Sequence, residues 1–424
     1  MISPEEFQKR RASFLSLMDD NSFAVIFSGV AKKCSADETY PFEVNRNFHY
    51  LTGITQEDSV LLLIKSDGEE REYLLISPFD PVKEKWYGKR LTPEEATAVS
   101  GVRNVLLRTA LTSRIETILT GTYSDFPPIA KVYLDLEKEQ KVAEETYVED
   151  YRKSLEVLCP HLCTMDAYPL IVSLRMVKSP AEIEELRAAI EVTKVGITSA
   201  MARIRPGVYE YEIANEFHKV INDCSGYQGT AFPTILASGV HAACLHYPTP
   251  VGTVGAGELV LMDLGSRNNL YCADVSRTVP ADGVFSELQK TIYSIVLAAN
   301  KAVANFARPG RTLAELQSFT VEYLASECLS KRLIQNKEDI KNYYFHGVSH
   351  HIGLDTHDPG DPNKKKPLVA GNVISDEPGL YFKELGIGVR IEDDLLITED
   401  GCEVLTKDII KEVNEIEAFY RKSH

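Results

Sequence analysis

The sequence predicts a two-domain protein: a smaller α/β domain followed by an α+β domain with an internal pseudo-twofold repeat. Three observations carry this. With 424 residues the chain exceeds what one hydrophobic core of ordinary size accommodates. Up to about Leu170 short apolar runs alternate with helix-like segments, whereas beyond about residue 175 long amphipathic stretches take over. In that second part a turn motif and an acid motif each occur twice, in the same order.

Ser3-Pro4-Glu5-Glu6 opens the first helix, with Ser3 as N-cap, Pro4 at the first position and Glu6 placed for a capping box. Such a start is not a signal peptide. The apolar runs 22–29, 59–65, 72–78 and 130–136 read as strands. Ser179-Pro180-Ala181-Glu182 is a second capping box and starts a helix to about Met201, so the boundary is placed just before it, giving domains 1–173 and 174–424.

Arg205-Pro206-Gly207 precedes a helix-like stretch from Tyr209, and Arg308-Pro309-Gly310 precedes another from Leu313. Ala256-Gly257-Glu258-Leu259-Val260 runs on to Asp263-Leu264-Gly265, and Ala370-Gly371-Asn372-Val373-Ile374 runs on to Glu377-Pro378-Gly379. The acid and the glycine fall at the same offsets. Each half then contains two helices followed by antiparallel strands, with helices outside and sheet inside.

Bulk properties exclude several function classes. A formal net charge of -16 argues against a phosphate-binding surface, so no nucleic-acid partner is expected. No 18-residue apolar run is present to span a bilayer, and no membrane partner is expected. The eight cysteines form no C-x-x-C pair, which fits free thiols in a reducing cytoplasm better than a disulfide framework or a zinc ribbon.

The acids at 263 and 274 lie in a predicted hairpin. The run 259–262 is one strand, Asn268-Asn269 suits a two-residue turn, and 270–273 returns. That turn sets Asp263 directly opposite Asp274, with Cβ atoms roughly 4.5–5.5 Å apart. Two like charges so placed repel unless a cation intervenes. Glu377 and Glu392 face each other if their hairpin closes between Glu384 and Leu385, although a loop of that length leaves the register open. A single Asp pair across a hairpin is more often a solvated face. Here the flanking strands are strongly apolar, and an ionised carboxylate survives in such a core only if paired or metal-bound. Four carboxylates on two adjoining hairpins can hold two divalent ions on the order of 3.5–4 Å apart.

Four of the ten histidines, His346, His350, His351 and His357, fall within twelve positions. In an extended strand His346 and His350 share a face and His351 points away. His350 can supply an imidazole to a metal, with the others lining a substrate channel and His351 structural. A helical zinc motif on His346 and His350 requires Glu after the first His, where Gly347 stands.

Asp263-Leu264-Gly265, Asp274-Val275-Ser276-Arg277-Thr278, His346-Gly347-Val348-Ser349-His350, Glu377-Pro378-Gly379 and Arg390-Ile391-Glu392-Asp393 resemble, in order, the motifs of the pita-bread metallopeptidases. That family includes aminopeptidase P, prolidase and methionine aminopeptidase. The segments 45–53 and 86–90 resemble the aminopeptidase P N-terminal domain, which methionine aminopeptidases lack. The similarity covers almost the whole chain. Departures are His351 after the ligand histidine and Pro248 after His246-Tyr247.

The resemblance implies a metalloexopeptidase that hydrolyses Xaa-Pro peptides, an Xaa-Pro aminopeptidase with prolidase as the alternative. A peptide-binding module that has lost its metals is a more distant one. It implies Asp263, Asp274, His350, Glu377 and Glu392 as metal ligands, with Asp274 and Glu392 bridging. Glu377 would also transfer protons, attack coming from a hydroxide held between the ions. His357 would stabilise the oxyanion, His246 and His346 would contact substrate, and Tyr381 would close the site. For Arg390 two readings stand: it orients the metal ligands, or it forms a structural ion pair with Asp393 or Asp394. Four carboxylates and one imidazole are a hard set that favours Mn2+, with Co2+ and Zn2+ as alternatives. Partners implied are peptides with proline at the second position and further copies of the chain, as a homodimer or higher homo-oligomer.

Overall fold

Runs of β-branched and aromatic residues early in the chain form the strands expected of them. The computed structural model describes residues 2–122, 126–137, 146–225 and 228–423, and the chain divides into the units Met1–Arg175 and Met176–His424. In the first unit α1 (Pro4–Leu17) leads into β1 (Ser22–Phe27), a small hairpin of β2 (Lys33–Ser35) and β3 (Glu38–Thr39), α2 (Arg46–Thr52), β4 (Val60–Ser66) and β5 (Glu69–Ile76). There follow α3 (Pro81–Tyr87), α4 (Pro93–Ser100), β6 (Val105–Leu107), α5 (Leu111–Thr120), β7 (Lys131–Leu134), α6 (Tyr147–Leu158), β8 (Cys163–Asp166) and α7 (Tyr168–Arg175). Six strands make one mixed sheet in the order β6-β5-β4-β1-β7-β8. All six residues of β1 are buried, as in a central strand covered on both faces.

The cap of α1 is simpler than its sequence suggests. Ser3 Oγ accepts the Glu6 N–H at 3.3 Å, but the Glu6 carboxylate lies 3.7 Å from Arg10 one turn on, and the box stays half-formed. A cation at i+4 competes for the carboxylate.

The second unit repeats one order of elements. Its first half is α8 (Pro180–Arg203), α9 (Glu210–Ser225), β9 (Ile235–Ser238), β10 (Leu259–Leu264), β11 (Arg267–Asn268), β12 (Tyr271–Cys272) and β13 (Val275–Pro280). Its second half is α10 (Glu287–Phe306), α11 (Leu313–Ser330), β14 (Val373–Asp376), β15 (Gly379–Phe382), β16 (Ile387–Arg390), β17 (Asp393–Ile397) and β18 (Cys402–Val404), and α12 (Val413–Ser423) follows. The two capping-box bonds predicted for Ser179 and Glu182 both form at the start of α8.

The turn motifs make the same contact in each half. Gly207 donates its N–H to the Val254 carbonyl at 2.8 Å, and Gly310 donates to the Leu368 carbonyl at 2.9 Å. Both glycines have φ near +85° (86° and 85°), where a side chain would be strained. Val254 and Leu368 each stand two residues before the Ala-Gly of the acid motif. Ile197, Phe217, Ile292 and Leu324 from the helices meet Met262, Val279 and Val389 from the strands in one core. Each such side chain contributes roughly 1.5–3 kcal/mol by leaving water.

The register of the first hairpin differs from the expected one. The turn residues are Asn269 and Leu270, at φ 46° and 70°, and Asp263 pairs with Ser276 instead of Asp274. Asn268 is drawn into the ladder because its side chain is held at both ends. Its amide oxygen accepts from Gln228 at 3.0 Å and its nitrogen donates to Glu185 at 2.5 Å. The shift is two residues and strand side chains alternate with period two, so both aspartates keep one face. They stand diagonally, at a spacing of roughly 7–8 Å that admits a cation between them.

In the second hairpin β15 pairs with β16 and β14 with β17, and both ladders keep the register that sets Glu377 across from Glu392. Segment 348–352 runs antiparallel to β14: Glu377 donates to the Val348 carbonyl, Ser375 to that of His350 and Ile352 to that of Val373, at 3.0, 2.9 and 3.0 Å. Alternation then puts His350 on the face of Glu377 and turns His351 to the opposite face, where it bridges Ile374.

Candidate metal centre

The two hairpins touch edge to edge, and their acids meet at the seam. The Glu392 N–H donates to the Ser276 carbonyl at 3.0 Å, and Thr278 Oγ1 donates to the Arg390 carbonyl at 3.1 Å. The Asp-Leu-Gly motif has its glycine for close approach: a Cβ on Gly265 would lie 1.9 Å from the Ala273 carbonyl oxygen. Any side chain there would wedge the strand of Asp263 away from that of Asp274.

One oxygen each of Asp274 and Glu392 and one nitrogen of His350 lie within 4.8 Å of one another. His350 Nε2 stands 3.4 Å from Asp274 Oδ2 and 3.4 Å from Glu377 Oε1. Its Nδ1 faces the His351 carbonyl at 3.0 Å, and a carbonyl only accepts, so the proton resides on Nδ1. The Nε2 lone pair therefore points at carboxylates, an arrangement that calls for a cation between them, with the backbone carbonyl fixing the ring. Asp263 Oδ2 takes Arg390 Nη2 at 2.7 Å while Oδ1 is buried without a hydrogen-bond partner. That orphaned oxygen, together with the hard donor set, fits divalent ions.

Electrostatics point the same way. Burial pushes Asp274 well above the usual carboxylate range, and Glu392 and Asp263 add to the shift. Burial likewise raises Glu392, with Glu377 and Asp263 contributing. Glu377 is raised by burial too, although His350 and Arg390 oppose the change. Each shift makes the negative charge costly at this place, and a bound cation would relieve that cost.

Of the two readings for Arg390, the geometry favours contact with the cluster. Arg390 reaches Asp263, Ser276 Oγ (2.8 Å) and Tyr381 Oη (3.0 Å), whereas Asp393 is taken by Arg277 at 2.9 Å and by Lys411. Tyr381 in turn lies 2.9 Å from His346 Nε2. Since His346 Nδ1 faces the Gly347 carbonyl at 2.8 Å, a relay of donors runs Arg390 to Tyr381 to His346. Burial lowers His346 to about 4 and, with His350 and His246 nearby, lowers His357 to about 4. Both imidazoles are neutral near pH 7. The His357 ring centre is 4.4 Å from that of His350, and His246 is a charge neighbour of both His346 and His357.

All ten residues singled out in the sequence thus lie at or beside one site. Two that sequence reasoning missed belong there. Ser276 Oγ donates to Glu392 Oε2 at 2.7 Å, and Ser375 Oγ donates to Glu377 Oε1 at 3.3 Å while accepting the His350 N–H at 3.0 Å. Ser276 stands two residues after Asp274 and Ser375 two residues before Glu377, and period two was the signal that could have found them.

Comparison with known proteins decides the family. The description "Metallopeptidase family M24" matches residues 184–399, which hold every acid and histidine of the centre. The chain belongs to metallopeptidase family M24. Its second unit is the pita-bread fold of that family, and "Aminopeptidase P, N-terminal domain" matches residues 7–124. Among M24 relatives, the Xaa-Pro aminopeptidase of Escherichia coli is 33% identical over 437 residues, covering 98% of each chain, and that of Haemophilus influenzae is 31% identical, covering 98% and 97%. A solved M24 structure, Zn-substituted E. coli aminopeptidase P in complex with product, covers 100% of this chain and 99% of its own at 32% identity and a TM-score of 0.91. A Bacillus anthracis structure matches at 40% identity and a TM-score of 0.96, with coverage of 100% and 99%. The M24 chain is accordingly a metal-dependent exopeptidase, a hydrolase.

Proposed function

We propose that this chain removes the N-terminal residue from peptides with proline at the second position, using two divalent ions that Asp263, Asp274, His350, Glu377 and Glu392 would hold. The observation that carries the reading is the His350 Nε2 lone pair aimed at Asp274 and Glu377, 3.4 Å from each, beside the orphaned oxygen of Asp263. The full-length similarity to Xaa-Pro aminopeptidases supports the choice of substrate. It also supports reading 1–173 as an aminopeptidase P-like N-terminal domain and 174–424 as the catalytic one.

When bound, the ions supply Lewis acidity and lower the pKa of the attacking water. Glu377 takes the water proton and delivers it to the proline nitrogen as that nitrogen leaves. Its carboxylate suits the task because burial raises it while Ser375 keeps it oriented. The neutral His357 donates a hydrogen bond to the oxyanion. His246 and His346 contact the substrate around proline, Tyr381 holds His346, and Arg390 holds Asp263. An Xaa-Pro bond has no N–H, so recognition must come from donors aimed at carbonyl oxygens; the Tyr381 and His346 donors are engaged by His346 and Gly347, which leaves the N–H groups of His246 and His357 for that task.

The donor set favours Mn2+ over Zn2+. All eight cysteines are free thiols, which supports a reducing, cytoplasmic setting. Among the described residues no helix is long and apolar enough to cross a membrane. Phe79, Val82, Trp86 and Tyr87, exposed at 70, 63, 79 and 78%, give the first unit an apolar surface that supports a homodimer or higher homo-oligomer.

The test is hydrolysis of Gly-Pro-Ala and Gly-Pro by Mn2+-loaded protein. Release of glycine from the tripeptide is the expected result. Cleavage of the dipeptide alone would make the chain a prolidase, and cleavage of neither with two ions bound would leave a binding module.

A further inference from the structure

Glu210, the first residue of α9, is fully buried away from the metal centre, and its carboxylate is saturated by donors from one stretch of chain. Oε1 accepts from the Ser238 N–H (2.8 Å), Ser238 Oγ (2.9 Å) and His241 Nδ1 (2.9 Å), and Oε2 accepts from the Gly252 N–H (2.7 Å). Tyr247 is a charge neighbour of the same carboxylate, which adds to burial in raising its hydroxyl. Ser238 ends β9 and Gly252 lies fourteen residues later, so one carboxylate closes the neck of the loop 238–252.

That loop carries His246. The His246 ring is exposed and makes no hydrogen bond with the described residues, so its place is set by the backbone on either side. On one side the loop lies against β16: a Cβ on Gly388 would fall 2.2 Å from the Ala242 carbonyl oxygen, and Ala242 packs with Leu261 and Tyr381. On the other side stands Glu210, with the His241 and Tyr247 rings stacked at 4.6 Å beside it. Gly252 completes the neck, since a Cβ there would lie 2.8 Å from Glu210 Oε2 and 2.7 Å from His241 Cε1. A buried carboxylate is costly to keep, and four donors from a single loop are what it holds.

We propose that Glu210 is a positioning residue for peptide turnover: by closing the neck of the 238–252 loop it fixes His246 against the substrate, without touching the metals. The inference rests on the aminopeptidase reading, in which His246 contacts the peptide.

A double-mutant cycle on Mn2+-loaded protein tests it. Glu210→Gln is expected to keep two bound ions and to lower kcat/KM for Gly-Pro-Ala by about tenfold or more, while in a His246→Ala background the same change costs less than about threefold. Equal losses in both backgrounds, or loss of metal, would overturn the inference. If Glu210→Gln does not unfold cooperatively, His241→Ala removes one donor at a half-exposed position and takes its place in the cycle with the same two outcomes. The His246 Cε1–H NMR signal of Zn2+-loaded, substrate-free protein separates failure of the clamp from failure of the functional reading. With a working clamp, that signal moves toward the free-histidine position in Glu210→Gln whether or not the chain cleaves Xaa-Pro peptides. An unmoved signal counts against the clamp itself.

Discussion

Arg390 donates from Nη2 to Asp263 Oδ2 at 2.7 Å, so a cation of the chain already covers one oxygen of a proposed metal ligand and leaves the other for an ion. Three donors of one guanidinium fix three groups, Asp263, Ser276 and Tyr381. Arg390→Ala should lower kcat on Gly-Pro-Ala by about a hundredfold while at least one ion stays bound. Arg390→Lys should rescue little, because an ammonium cannot reproduce the planar fork. Steady-state kinetics with metal analysis checks this, and full activity in the Lys variant would count against it.

Glu392 is a proposed metal ligand, and its Oε2 is oriented by Ser276 at 2.7 Å. Glu392→Ala should lose bound metal and essentially all peptide hydrolysis. Elemental analysis of the purified variant reads the first effect. Retained turnover with Mn2+ present would remove Glu392 from the ligand set.

Chelation should change how stability depends on pH. Asp274, Glu377 and Glu392 have folded-state pKa values raised above the unfolded values near 4. Their contribution is therefore complete below about pH 4 and is lost as pH rises through the raised values. Metal-free protein should lose stability as pH rises above the unfolded carboxylate range near 4, and the stabilisation gained on adding Mn2+ should widen as pH rises, because the ligands bind deprotonated. Urea unfolding with and without chelator measures both, and a metal effect independent of pH would contradict the assignment.

Lys178 Nζ and Asp358 Oδ2 form an ion pair at 3.0 Å with both side chains 1% exposed. Asp358 follows His357, and its backbone N–H donates to the His351 carbonyl at 2.9 Å, which closes the loop that presents His357. Lys178→Met removes the buried cation that faces Asp358 and should cost about 3–5 kcal/mol. Thermal unfolding of the variant gives the cost, and a change of under about 1 kcal/mol would show that the pair is dispensable.

Much of this was legible in the chain. The strands of the first unit, the capping box at Ser179, the doubled turn and acid motifs and the facing of Glu377 and Glu392 all follow from local rules: period-two alternation, cap chemistry and turn glycines. The shared face of Asp263 and Asp274 was correct although their pairing was not, since a shift of two residues preserves a face.

What the sequence determined by itself is which side chains could carry the chemistry and which face of each strand they occupy, because periodicity and residue type are properties of neighbouring positions. What only the tertiary structure decided is distance and partner. Gln228 and Glu185 reset the first hairpin by holding Asn268, Arg390 chose Asp263 over Asp393 because Arg277 and Lys411 were already there, and Glu210 gathered a loop that begins twenty-eight residues later. Those choices depend on groups far apart in the chain competing for the same buried space, and no local pattern encodes the outcome of that competition.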